Sequence, residues 1–247
     1  MTPVIIIFIS ATMIATSFLS GIFGMAGGLV LVGVLLAIMP LPLAMALHAI
    51  TQMASNGWRA MFWWRLVRWP IVGAYMIGCG GALLVWSVWL YVPSKGLALL
   101  LLGTLPFVNR LIPSDRRANP ERFRDGVGYG ALCMTLMLLT GVAGPILDQF
   151  FLTGGLDRRQ IVATKGMCQL FGHGVKLLYF GAIIDQAAAV DPILAGVAIV
   201  ASMIGTMLSK TVLERMSDTQ YRCWGGRLIT GISAYYAMHG TYLVVLA

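Results

Sequence analysis

The chain has 247 residues and a formal net charge of +8; it is 59% hydrophobic and only 11% charged, with a mean hydropathy of +0.85. Soluble globular domains are roughly a quarter charged. A soluble helical core would also need polar outer faces, and a β-barrel short alternating segments; the sequence has neither. The composition therefore predicts an all-α, polytopic integral membrane protein whose first partner is the lipid bilayer. The positive charge does not indicate nucleic-acid binding, because the basic residues collect in short loops between apolar spans, as the positive-inside pattern requires.

Ten segments follow in chain order. The first, 3–20, has no charge and lacks the basic start of a signal peptide, so it is expected to remain as a membrane segment. A glycine-rich break, Gly21 to Gly28, leads into a short second segment, 29–39. The third, 43–64, carries His48, Thr51, Gln52, Asn56 and Arg59. The fourth, 70–92, is uncharged, with Gly78, Gly80 and Gly81 suited to close helix packing. The fifth, 95–109, ends the first half. A basic linker, 110–125, precedes the sixth, 126–141. The break Gly141 to Pro145 leads into a short seventh segment, 146–155, which contains Asp148. The eighth, 160–183, carries Thr164, Lys165, Gln169, His173 and Lys176; the ninth and tenth run 190–210 and 222–246.

The two halves repeat one pattern. Gly24, Ala26, Gly27, Ala46, Gln52, Gly57 and Arg59 recur 117 positions later as Gly141, Ala143, Gly144, Ala163, Gln169, Gly174 and Lys176. Duplicated halves with glycine-broken apolar segments at matching positions indicate a transporter whose site lies at those breaks. Residues 1–109 and 126–247 thus read as two transmembrane repeats joined by a cytoplasmic linker at 110–125.

Spanning needs ~20 apolar residues. The second and seventh segments are shorter, so each is expected to form a re-entrant hairpin or a broken helix, backbone tolerated at depth only where it is buried or lines a cavity. One alternating topology puts Arg65, Arg68, Arg110, Arg116, Arg117, Arg122, Arg124, Arg158, Arg159, Lys210, Arg215 and Arg222 on the cytoplasmic side. Lys95, Asp185 and Asp191 then lie opposite, and both termini face outward. Five passes per half is odd, which makes the second repeat inverted relative to the first.

His48, Gln52, Asn56 and Arg59 are spaced 4, 4 and 3 apart, and Lys165, Gln169, His173 and Lys176 share that spacing. On a helix each set lies on one face. Polar groups in the hydrocarbon are costly and normally face a bundle interior or a wet cavity. The matched stripes are therefore expected to line an anion path, with Thr51 beside them. Helix-to-helix hydrogen bonding is the bland alternative for Gln52, Gln169 and Asn56, and snorkelling for Arg59 and Lys176. Lys165 has no acid within one turn and is expected to be the main charge partner, with Arg59 and Lys176 guiding the anion near the two mouths. Asp148 can pair with Lys165 or Lys176, take part in coupling, or act as a capping carboxylate.

The breaks add a second anion feature. Short segments two and seven begin just after Gly28 and Gly144, at breaks that hold Ala26 and Gly27 in one half and Ala143 and Pro145 in the other, and their N-termini expose unpaired N–H groups and partial positive charge. Pro145 suits a first helical position, where no donor is needed. Two such ends approaching from opposite faces would cradle an oxyanion.

Cys79, Cys133, Cys168 and Cys223 form no C-x-x-C pair and read as small apolar side chains. The three histidines, His48, His173 and His239, are scattered, so neither a metal centre nor a cofactor is expected. A haem subunit held by His48 and His173 is a rival reading that a Soret band would reveal, and an anion channel lined by the same residues is another. Proton coupling through His173 or Asp148 and sodium coupling at the breaks both stay open, since imidazole ordinarily titrates near neutral pH and helix breaks present carbonyl ligands. A homodimer is compatible with the sequence, which does not fix the oligomeric state.

The run from Gly21 to Val32 resembles the glycine-rich motif of the sulfite exporter TauE/SafE family, also called toluenesulfonate uptake permeases, and Gly141 to Pro145 resembles its second copy. The stretch Ala163 to Gln169 with His173, Lys176 and Tyr179 is similar to the segment after that motif in some members. The resemblance spans nearly the whole chain. It implies transport of a small sulfur-containing or organic anion, such as sulfite, a sulfonate or sulfoacetate, across a bacterial cytoplasmic membrane, without enzymatic chemistry. The chain departs from the family pattern at Ala26 and Ala143, which replace a usual glycine, at Gly33, where proline is common, and at Thr51-Gln52, which stands for a Thr-Ser pair.

Overall fold

The computed structural model describes residues 3–23, 26–110, 118–151, 155–156, 158–183 and 190–245. Gly24 of the first motif, Arg116 and Arg117 of the linker, and Asp185 lie outside them. The described residues form ten α-helices and no strand. These are α1 (Pro3–Phe23), α2 (Ala26–Ile38), α3 (Leu41–Phe62), α4 (Trp69–Trp89), α5 (Lys95–Arg110), α6 (Phe123–Thr140), α7 (Gly144–Phe151), α8 (Arg158–Leu178), α9 (Pro192–Arg215) and α10 (Asp218–Val245).

Prolines start several of these helices where no N–H donor is lost. Pro42 and Pro70 stand in the first turns of α3 and α4. The short helices are those expected. At 1.5 Å per residue, α2 and α7 reach about 20 and 12 Å, well short of the ~30 Å hydrocarbon core. The structure starts α2 at Ala26, so Gly27 and Gly28 lie inside its first turn rather than before it. They fit there because α2 packs closely on its neighbours: a Cβ at Gly27 would meet Thr16 and Ser20 of α1.

Among the described residues, three helices are long and apolar enough to cross a membrane: Ile5–Phe23, Trp69–Trp89 and Pro192–Val212. In α3 and α8 the polar stripes lower the mean hydropathy, so length and apolar content alone do not mark them. Large apolar side chains such as Ile7, Leu84, Val88, Ile193 and Met238 are exposed on the outer surface, as a lipid-facing surface requires.

Four helix pairs dominate the packing: α1 with α9, α4 with α6, α3 with α8, and α5 with α10. Small residues let the backbones meet. Gly21 faces Thr206 and Ser209 while Gly205 faces Ile14 and Ser17, so α1 and α9 run parallel. Gly126 faces Ala74, and Gly78 faces Val127 and Ala131, so α4 and α6 also run parallel. In contrast, Gly174 faces Met53, Gly57 faces Leu170 and Gly166 faces Ala60, an antiparallel register of α3 on α8. Gly96 faces Val244 and Gly103 faces Ala237, which makes α5 and α10 antiparallel as well.

The loops also sort. Exposed Arg68, after α3, lies 3.9 Å from Glu121 of the linker, and the Lys210 ammonium of α9 stands 5.1 Å over the Phe62 ring at the end of α3. Three basic segments therefore meet at one end of the bundle.

Candidate functional site

The α3–α8 pair carries both polar stripes, and every stripe residue is buried: His48, Thr51, Gln52, Asn56 and Arg59 on α3, and Lys165, Gln169, His173 and Lys176 on α8. Helical spacing puts each set on one face. Gly166 lets the faces approach, since a Cβ there would lie 3.1 Å from the Asn56 carbonyl oxygen. Because the helices are antiparallel, the start of one stripe meets the end of the other.

At one end of this crossing, Lys176 Nζ lies 2.7 Å from His48 Nδ1 and donates to the Gly141 carbonyl at 2.9 Å. His48 Nε2 lies 3.0 Å from the Gly28 carbonyl oxygen. A carbonyl only accepts, so Nε2 carries the proton and Nδ1 accepts from Lys176. The chain Gly28–His48–Lys176–Gly141 thus ties the glycine break of one half to that of the other. The His173 ring stands edge-on to His48, with 5.4 Å between centroids.

Toward the other end, Arg59 donates to the Ser20 carbonyl of α1 at 2.8 Å and bonds the Asn56 side-chain oxygen, while the Asn56 amide donates to the Gln52 carbonyl at 2.8 Å. On α8, Lys165 forms an ion pair with Asp148 of α7. Ser55 and Thr206 hydroxyls meet at 2.8 Å, joining α3 to α9, and Thr51 bonds back to the Leu47 carbonyl.

Between the two ends sit Gln52 and Gln169. Gln52 Nε2, Gln169 Oε1 and His173 Nδ1 are buried and have no hydrogen-bond partner among the described residues. Such groups ordinarily find one, since leaving them unpaired costs ~1–3 kcal/mol each. The Gln52 side chain lies over the first turn of α2; a Cβ at Gly28 would be 3.3 Å from its Oε1.

The two breaks differ in detail. Gly141 caps α6 at φ +87°, a left-handed conformation that favours glycine, and Thr140 bonds the Leu136 and Val142 carbonyls to hold the turn. Ala143 is buried, Gly144 opens α7, and Pro145 is its second residue. Beyond Lys176, α8 widens into a π-helical turn, Tyr179–Ile183, where the Tyr179 hydroxyl donates to the Tyr91 carbonyl at 2.9 Å. Single π turns commonly mark functional sites.

The structure corrects one expectation about the cations. Lys176 is 0% exposed, so it neither snorkels nor stands at a mouth. Lys165 pairs with the Asp148 carboxylate, one of the pairings the sequence left open. Lys176 meets only neutral acceptors among the described residues. Sequence reasoning missed the Ser20 carbonyl and Thr206 as partners. The buried small polar residues of α1 and α9, including Thr16, Ser17, Ser20, Ser202, Thr206 and Ser209, were the signal, at helical spacing along two apolar segments.

Cys79, Cys133 and Cys168 are buried, Cys223 is exposed, and all four are free. No group of three or more metal-ligating side chains occurs among the described residues.

No curated protein and no solved structure matches the chain. The family model described as sulfite exporter TauE/SafE matches residues 8–236, which takes in both glycine breaks, both stripes and the whole of the α3–α8 pair. With an all-helical bundle, lipid-type outer surface and a buried polar seam, the chain is a membrane transporter and belongs to the sulfite exporter TauE/SafE family.

Proposed function

We propose that this protein is a secondary transporter that moves a small sulfur-containing or organic anion, of the sulfite or sulfonate class, by alternating access between two inverted repeats. The observation that carries the reading is the α3–α8 seam: two cation-bearing stripes, antiparallel, with unpaired amide and imidazole groups between their ends. The antiparallel pairing of corresponding helices supports the inverted arrangement. So does the exchange relation of the packing: replacing each helix by its counterpart turns α1–α9 into α6–α4 and maps α3–α8 and α5–α10 onto themselves. In a bilayer, a two-fold axis in the membrane plane produces that pattern.

The anion sits at the centre of the seam, near the start of α2. Lys176 supplies its charge partner, and Gln52, Gln169 and His173 supply hydrogen bonds. A half-turn of either amide exchanges its oxygen and nitrogen, so both glutamines can present N–H to an oxyanion. Charge-assisted bonds of this kind are roughly twice as strong as neutral ones. His48 and Asn56 orient the two cations next to them. The first turns of α2 and α7, at Ala26 to Gly28 and Gly144 to Pro145, add N-terminal dipoles.

Lys165 and Asp148 serve as the movable pair. Asp148 stands on α7, the shortest α-helix among the described residues, and protonating or withdrawing it opens its pair with Lys165, which couples the movement of α7 to a proton. The basic loops face the cytoplasm, both termini face outward, and the protein resides in a bacterial cytoplasmic membrane as a monomer or homodimer.

A ligand that binds only the folded state raises apparent stability as its concentration exceeds its dissociation constant. Purified protein is therefore heated with sulfite, sulfate, thiosulfate, small sulfonates and small carboxylates. A shift with a sulfur oxyanion that is lost in Lys176→Met supports the reading. The absence of a shift with every anion tested, at concentrations up to tens of millimolar, removes it.

A further inference from the structure

A crevice of about 700 Å³ lies between α2, α5 and α10, on the far side of α2 from the polar seam. Its walls are mostly apolar: Val30, Val34, Leu36, Leu99, Ile232 and Leu243. Tyr236 closes its inner wall by fitting against Gly33 and donating to the Leu29 carbonyl at 2.6 Å. Gly231 leaves the crevice open, for a Cβ there would meet nothing within 4 Å.

The crevice has a direction. It begins near Gly231, midway along α10, and ends where α2 and α10 finish and α5 starts, at Lys95. From Gly231 to Leu243 is about 18 Å of helix, close to half of the ~30 Å hydrocarbon thickness. The crevice therefore covers one leaflet, from midplane to headgroup level. Exposed Tyr242 and His239 lie toward that end, as interfacial residues do. No carboxylate lines it among the described residues, and Lys95 stands exposed at its mouth.

We propose that the crevice is a binding site for one acyl chain of an anionic phospholipid, whose phosphate pairs with Lys95. A leaflet-long apolar slot fits a single chain lying along the helices, and the lysine at the headgroup level selects a negative head over a zwitterionic one. A cation near a membrane surface attracts anionic headgroups by about 1 kcal/mol, roughly fivefold in affinity. The site is separate from the anion seam, so the proposal stands whichever anion is carried.

The test is native mass spectrometry of the full chain in detergent, titrated with palmitoyl-oleoyl phosphatidylglycerol or the matching phosphatidylcholine. The wild-type protein is expected to hold one phosphatidylglycerol, roughly fivefold tighter than phosphatidylcholine. Lys95→Gln should erase that preference and keep the weak, equal binding. Gly231→Phe places a ring in the crevice and should abolish the adduct; it replaces a mid-helix glycine by a better helix former, so the fold is retained. Should it fail to fold, Ala37→Leu narrows the crevice from α2, nearer its Lys95 end. An adduct that survives either filling variant overturns the proposal, as does equal affinity of the wild-type protein for the two lipids. A dimer that Gly231→Phe dissolves would overturn it too, because the crevice would then be a subunit interface.

Discussion

Lys165 and Lys176 stand on the same face of α8, about three turns apart, and both are buried, yet their surroundings differ in kind. Lys165 has the Asp148 carboxylate. Lys176 has an imidazole nitrogen and a backbone carbonyl. An ion pair is internally neutral, and its net contribution to stability is small because desolvation offsets attraction. A buried lysine held only by neutral acceptors has no counter-charge to offset its desolvation, so it gains most from the approach of an anion. Of two lysines that look alike in the sequence, the one without a carboxylate is therefore the better candidate for the substrate's partner.

Substitutions can break or sharpen this contrast. The largest effect is expected at Lys176: Lys176→Met should reduce anion flux in proteoliposomes at least 100-fold, the scale of a lost charge-assisted contact of about 3 kcal/mol. Flux near wild type would reverse the assignment of the two lysines. Next comes Asp148→Asn, which strands Lys165 in a site where the two side chains are 9% and 18% exposed. Chemical denaturation should show a loss of about 3 kcal/mol. The double variant Asp148→Asn with Lys165→Met should recover most of it, a non-additivity that a merely local packing defect would not give.

Gly141→Ala tests the carbonyl to which Lys176 donates. The left-handed backbone and the nearby Met45 and Val32 side chains oppose a Cβ, at 2.7 and 2.8 Å from their closest atoms. The expected cost is about 1–3 kcal/mol, read as a lowered melting temperature, with reduced anion affinity. The smallest effect is expected at Ser55→Ala, which removes one hydroxyl contact between α3 and α9 away from the lysines. About 0.6 kcal/mol is typical of such an interhelical bond in a membrane, and flux should be unchanged. A large loss of flux there would mean that the α3–α9 contact moves with transport.

Much of this was legible in the sequence. The ten segments, the two short ones after glycine breaks, and the burial of both stripes follow from hydropathy, residue spacing and the 117-residue repeat. The partners of the cations were less legible, because they depend on the register of α3 on α8. That register is set by glycines such as Gly57, Gly166 and Gly174, whose contacts exist only in three dimensions. The Ser20 and Gly141 carbonyls that receive Arg59 and Lys176 are backbone atoms, which no residue pattern marks. The widening at Tyr179–Ile183 likewise has no composition cue within an otherwise helical segment. The start of α2 at Ala26 differs from the expected 29 because packing on α1 favours glycine in that first turn over its lower helix propensity.

The most direct measurement compares sulfite flux in proteoliposomes for Lys176→Met and for the Lys165→Met, Asp148→Asn double variant, each first shown to melt cooperatively. Flux lost in Lys176→Met, with flux retained but insensitive to the proton gradient in the double variant, is the predicted result. Flux retained in Lys176→Met and abolished in the double variant would contradict the account, and would return the substrate's charge to Lys165.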